Sequence, residues 1–223
     1  MNHLHDLKDL HKNRSAILIG SGPSIIDDNT MDIIKRLVSE EKCLLFGTNH
    51  VLHLQEIIFD YVIVIDQDAH AKLKSKGLYN KKVNEALILG GKNYENINDS
   101  DIQNSIICLP PPNHKNILSY KLPTRKHNLQ EVLKYVGHII KASSMFVTLQ
   151  LVLYTGVSRI YLAGIDCTDV YGSLNQNAFK PEYSKLIKGW VGFKNFVNVH
   201  YPHVEILSIN PVGLKDVFKE YRL

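Results

Sequence analysis

The sequence predicts a single Rossmann-like α/β domain across residues 1–223, with a mostly parallel sheet flanked by helices. Short apolar runs recur along the chain with segments of helical length between them. The runs are unbroken, as expected for strands covered by helices on both faces. Several end in glycine or small polar residues, where a strand hands over to a helix in crossover units.

Ser15–Ile19 (SAILI) reads as the first strand, followed by a glycine turn and a helix over Asp28–Val38. Cys43–Phe46 (CLLF) is the second strand, and Val51–Ile58 a short helix or turn. Tyr61–Ile65 (YVIVI) is the third strand and is strongly β-branched. Ala86–Leu89 and Ser105–Leu109 are candidates for two more. Residues 90–128 form a loop-rich insertion with Gly90-Gly91, Pro110-Pro111-Pro112 and many Asn and Asp residues. A loop of this length in a compact domain is often functional, as a lid or acceptor-binding arm, and can equally be a subunit contact. Met145–Tyr154 (MFVTLQLVLY) is apolar nearly all round and predicts a buried helix, ended by Gly156. Arg159–Ala163 (RIYLA) is the next strand, running into Gly164-Ile165-Asp166, and Cys167–Lys180 is a polar loop. Pro181 begins a helix to about Val199, Val204–Ile209 (VEILSI) is the last strand, and Pro211–Tyr221 a closing turn and helix.

Composition narrows the function classes. The chain is 44% hydrophobic and 22% charged, enough apolar material for a core without staples. Its net charge of +4 suits an anionic ligand, but no basic arm points to nucleic acid. Cys43, Cys108 and Cys167 are widely spaced and argue against a disulfide framework. The first residues lack the apolar core of a signal peptide, and no run of 18 apolar residues would span a membrane. The cytosol is the expected compartment, with attachment to the inner membrane face left open.

The sharpest local signal is Gly20-Ser21-Gly22-Pro23-Ser24, between a strand and a helix. Glycines there allow tight turning and close backbone approach, and free N–H groups of the following helix can hold a phosphate. Ser24 can cap that helix or give its hydroxyl to a ligand. The run is neither the GxGxxG fingerprint nor the GxxxxGK[ST] loop, and a purely structural turn is the competing reading. Asn49 follows the second strand, where its amide can read a base or ribose edge or simply serve a turn. Asp66 and Asp68 follow the third strand; they can hold a divalent cation such as Mg²⁺ or Mn²⁺ on diphosphate oxygens, Asp66 can meet a ribose, or Asp68 can cap the next helix. Asp166 lies beyond RIYLA with Asp169 and Tyr171 after it. Asp166 can bind ligand or act as a base. Tyr171 and Lys185 can stabilise a leaving phosphate, although lysines 180, 185 and 188 also read as solvated surface.

Taken together, GSGPS, FGTNH, VIVIDQD and SSMFVTLQLVLYTGVSRIYLAGID resemble the small bacterial sialyltransferases that modify lipooligosaccharide. They are also similar to the neighbouring superfamily of motility-accessory and 6-hydroxymethylpterin diphosphokinase-like proteins. The resemblance implies a GT-A-like variant of the fold and a CMP-activated sugar donor. It implies that Gly20, Gly22, Pro23 and Ser24 surround the phosphate, that Asn49 contacts the nucleotide and that Ser143 and Ser144 lie beside the donor. Asp166 matches an acidic residue ending the late strand, and Tyr171 a tyrosine that steadies the departing phosphate. The family's catalytic His has no counterpart in Lys180-Pro181-Glu182-Tyr183-Ser184-Lys185, which leaves Glu182 or Asp169 as substitutes. The expected activity is transfer of a sugar from a nucleotide donor to a saccharide acceptor in surface-polysaccharide synthesis. The alternatives are metal-dependent pyrophosphoryl transfer and a noncatalytic nucleotide-binding assembly protein. A homo-oligomer is compatible with either.

Overall fold

The computed structural model describes residues 7–54, 56–64, 67–78, 83–89, 105–108, 143–168 and 183–222. Their strands are β1 (Ser15–Ile19), β2 (Leu44–Thr48), β3 (Phe59–Val64), β4 (Val83–Leu89), β5 (Ser105–Cys108), β6 (Arg159–Ala163), β7 (Glu205–Ser208) and β8 (Lys219–Glu220). The helices are α1 (Asp28–Glu40), α2 (Gln67–Ser75), α3 (Met145–Tyr154) and α4 (Tyr183–His200), with 3₁₀ turns at Pro23–Ile26 and Asn49–His53. The strands form one sheet in the order β5-β4-β3-β2-β1-β6-β7-β8, and every pairing among them is parallel.

The two-residue period of a strand explains the unbroken apolar runs. In β1, Ala16 and Leu18 face one core, while Ile17 and Ile19 face the other. The first core contains α3 and α4, with Phe146 between Trp190 and Phe193 at ring-centroid distances of 4.8 and 6.0 Å. The second contains α1, through Ile33, Ile34 and Leu37, and the 51–57 segment. With both faces covered, β1, β2 and β3 are buried along almost their whole length, and the alternation disappears from their sequence.

Chain order reverses beside β1. Strands β2 to β5 step away on one side, and the chain returns as β6 on the other. This is the topological switch point, where open parallel sheets bind ligands beyond the strand C-termini.

The structure moves some expected boundaries. Strand β2 extends to Thr48, and in place of a helix over 51–58 there is a 3₁₀ turn over Asn49–His53. Gly156 ends α3 with φ +83°, donating its N–H to the Leu153 carbonyl at 3.0 Å, as expected. The closing helix expected in Pro211–Tyr221 is absent: turns lead into β8, whose Lys219 pairs with Leu207 of β7. Buried Leu214, Val217 and Phe218 have helical spacing, but they fill one turn that drops them onto the core, and sheet pairing then takes the chain. No helix among the described residues is long and apolar enough to cross a membrane.

Candidate functional site

At the C-terminal edge of β1 and β6 the chain knots itself together. The ladder between these strands continues past their ends: Gly20 N–H donates to Ala163 O and Gly22 N–H to Gly164 O, each at 2.8 Å. A Cβ on Gly20 would lie 2.5 Å from the Gly164 carbonyl oxygen, and one on Gly22 would lie 2.7 Å from it. The glycines therefore do provide close backbone approach, but their partner is the β6 loop of the same chain.

Asp166 completes this contact. Its side chain is buried, with 5% exposure, and both carboxylate oxygens are engaged by Ser24. The Ser24 N–H donates to Oδ2 at 2.7 Å, and the Ser24 hydroxyl donates to Oδ1. The Asp166 carbonyl accepts the Gly213 N–H at 2.7 Å, which ties in the turn after β7. Burial first, and then the neighbouring Asp166 charge, pushes the Cys167 thiol up to about 12, against a hydrogen bond to Trp190. Cys167 itself holds φ +49°, an uncommon conformation for a side-chain-bearing residue.

The structure thus differs from the expectation of free N–H groups at the glycine turn. Those of Gly20, Gly22 and Ser24 are bonded within the chain, as is that of Ile25, to Gly22 O. Nor does Ser24 cap α1. Asp27 does so, accepting the Thr30 N–H at 3.0 Å, because the Pro23–Ile26 turn intervenes between glycines and helix. Ser21 is only part-buried.

A second group forms where β2 ends against α3. Asn49 is buried at 6% exposure with φ +49°, a conformation Asn tolerates better than most residues. Its Nδ2 donates to Ser144 Oγ at 3.1 Å, across 95 positions of sequence. Ser143 Oγ accepts the Met145 N–H at 3.2 Å at the head of α3, so both serines stand at that helix N-terminus. Asn49, Ser143 and Ser144, singled out separately in sequence, are brought together. A polar amide, two hydroxyls and a helix N-terminus can receive sugar hydroxyls, base edges or an anion.

Lys185 is exposed on the first turn of α4. Asp66, Asp169, Tyr171 and Glu182 lie outside the described residues, as does the Asp68 side chain, although Asp68 belongs to α2. Among the described residues no three His, Cys, Asp or Glu side chains are grouped to hold a metal ion. Sequence reasoning missed Asn210 and Gly213. Asn210, at φ +49°, donates from Nδ2 to Thr30 Oγ1 at 3.1 Å, and these two residues bind the turn after β7 to α1 and Asp166. The Asn210-Pro211-Val212-Gly213 run after a strand is a turn signal that could have flagged them.

No protein-family profile matches the chain, and no curated protein sequence matches it significantly. Solved structures do. The sialyltransferase CstII from Campylobacter jejuni, in complex with cytidine-5'-monophosphate, superposes with a TM-score of 0.59 at 14% identity, covering 95% of this chain and 86% of that one. Sialyltransferase CST-II bound to a trisaccharide acceptor and CMP gives 0.58 at 14% identity, over 94% and 86% of the two chains. The Campylobacter jejuni enzyme with CMP-3FNeuAc gives 0.55, again at 14% identity and over 94% and 86%. The chain therefore shares the fold of these transferases over nearly its whole length.

Proposed function

We propose that the protein is a glycosyltransferase that moves a sugar from a nucleotide-activated donor, CMP-linked by preference, to a saccharide acceptor in bacterial surface-polysaccharide or lipooligosaccharide synthesis. The observation that carries this reading is the convergence of Asn49, Ser143 and Ser144 at the C-terminal end of β2, one strand from the switch point, on a fold shared with structures that hold CMP and a trisaccharide acceptor. In this reading Asn49 and the α3 N-terminus hold the nucleotide. The glycine turn walls the donor pocket. An acidic residue of the 169–182 stretch, Asp169 or Glu182, takes the proton from the acceptor hydroxyl as that oxygen attacks the anomeric carbon. The sugar–phosphate bond breaks, and the nucleotide phosphate leaves against the Tyr171 hydroxyl and Lys185. In this reading the acceptor approaches the C-terminal edge of the sheet, and the protein associates peripherally with the inner face of the membrane.

The test is turnover. The protein is incubated with CMP-, UDP- and GDP-activated sugars and oligosaccharide acceptors, and products are read by mass spectrometry. Release of CMP with a matching mass gain on the acceptor supports the reading. ATP-dependent pyrophosphoryl transfer requiring Mg²⁺ would replace it with the kinase-like alternative, and nucleotide binding without turnover would replace it with an assembly role.

A further inference from the structure

We infer that Asp166 is a positioning residue: its carboxylate sits at the head of the Pro23–Ile26 turn, latches the glycine turn onto β6, and keeps the donor phosphate on the β2–α3 side of the edge. The last clause rests on the function proposed above; the latch itself does not.

A strand-end carboxylate at a switch point is ordinarily read as a ligand contact or a base. Here its geometry is already spent. Both oxygens are held by one residue, Ser24, through its N–H and its hydroxyl. The carboxyl carbon would be 2.8 Å from a Cβ on Gly22, so Gly22 is small in order to admit Asp166. Its own carbonyl is bonded to Gly213, and its side chain is 5% exposed. A base must reach the acceptor proton, and this carboxylate faces into the β1–β6 seam. An incoming phosphate at that seam would meet a buried negative charge and amides already bonded. The polar groups of Asn49, Ser143 and Ser144 meet instead where the neighbouring strand β2 ends against the α3 N-terminus.

The test has two arms, with Asp166→Asn and Ser24→Ala as the variants and no ligand in the first. Peptide-resolved amide exchange should show the 20–25 turn exchanging about tenfold faster in each variant, as expected for losing one hydrogen bond to a charged group. The double variant should be less than additive, since Ser24→Ala removes the hydroxyl bond and Asp166→Asn weakens both bonds of the same pair. Unchanged exchange in the turn, or equal acceleration across the whole sheet, overturns the latch. In the second arm, both variants should raise the Kd for CMP by about tenfold while kcat on a CMP-activated sugar stays within a few-fold and its pH profile keeps its acidic limb. A kcat loss of about 10²–10⁴-fold with the acidic limb gone and CMP binding intact would make Asp166 the base and overturn the inference. If the unmodified protein binds none of CMP, UDP and GDP, the proposed function fails, and the exchange arm still decides the latch.

Discussion

Replacing Gly22 with alanine tests whether the glycine turn is shaped by its neighbour in the chain. The added Cβ would stand 2.7 Å from the Gly164 carbonyl oxygen and 2.8 Å from the Asp166 carboxyl carbon, whereas ordinary contact begins at 3.4 Å. The obstacles are a backbone carbonyl within the β1–β6 seam and a buried carboxylate, neither of which is a flexible side-chain end. Gly22 has φ −66°, so alanine suffers no backbone penalty there and the whole cost is overpacking. Such strain typically costs about 1–3 kcal/mol. At roughly 2–4 °C per kcal/mol for a domain of this size, the melting temperature should fall by about 2–12 °C. Circular dichroism melts of Gly22→Ala and Gly22→Val measure it, and valine should cost more than alanine. Gly77 provides the contrast, with φ +61° and nothing within 4 Å of its would-be Cβ. There asparagine should be milder than alanine, because only backbone conformation matters. A Gly22→Ala protein melting within about 1 °C of the parent, or alanine and valine melting together, would show that the seam does not crowd Gly22.

Other expectations follow from single contacts. Burial, and then the Arg14 charge, hold the His11 imidazole below 6.5 despite the nearby Asp60. The unfolded chain therefore takes up the proton first on acidification: stability is complete above 6.5, and falls below it until the folded imidazole itself is protonated. Melts across this range should show that slope, and His11→Gln, which can still pair with the Tyr61 hydroxyl now 2.7 Å from Nε2, should flatten it; an equal slope in the variant would contradict the assignment. Burial pushes the Cys43 thiol up to about 11 and the Cys167 thiol up to about 12, so in a Cys108→Ser background neither should react with a disulfide reagent at neutral pH until the protein unfolds. Rapid modification of the native protein would count against both environments. Asn49→Gly keeps the φ +49° backbone and removes the amide that bonds Ser144. It should weaken nucleotide binding by about tenfold with little change in melting temperature, and unaltered affinity would remove Asn49 from the site.

The sheet was legible because burying both strand faces leaves a signal in local composition: SAILI, YVIVI and RIYLA read as strands without any partner in view. The all-apolar MFVTLQLVLY segment was legible for the same reason, since α3 has the sheet on one side and α4 residues on another. The end of the chain misled because one turn with helical spacing at Leu214, Val217 and Phe218 looks like the start of a helix, and only long-range pairing of Lys219 with Leu207 makes it extended. The site divided in the same way. Each polar residue after a strand could be flagged locally, since strand C-termini are where parallel sheets bind ligands. Which of them meet could not. Asn49 and Ser144 are 95 positions apart, and Ser24 and Asp166 are 142 apart. Those separations turned a glycine turn that looks open in sequence into one closed by a carboxylate from the next strand.

Nucleotide binding is read from the melting temperature of the purified protein against CMP, CDP, UDP, GDP and ATP, with and without Mg²⁺. A ligand bound only by the native state at about a hundred times its Kd adds roughly 2.7 kcal/mol. That corresponds to a rise of about 5–11 °C here. A rise with CMP that exceeds the others, and that Asn49→Gly diminishes, is the predicted result. A Mg²⁺-dependent rise with ATP alone, or no rise with any nucleotide, would contradict it.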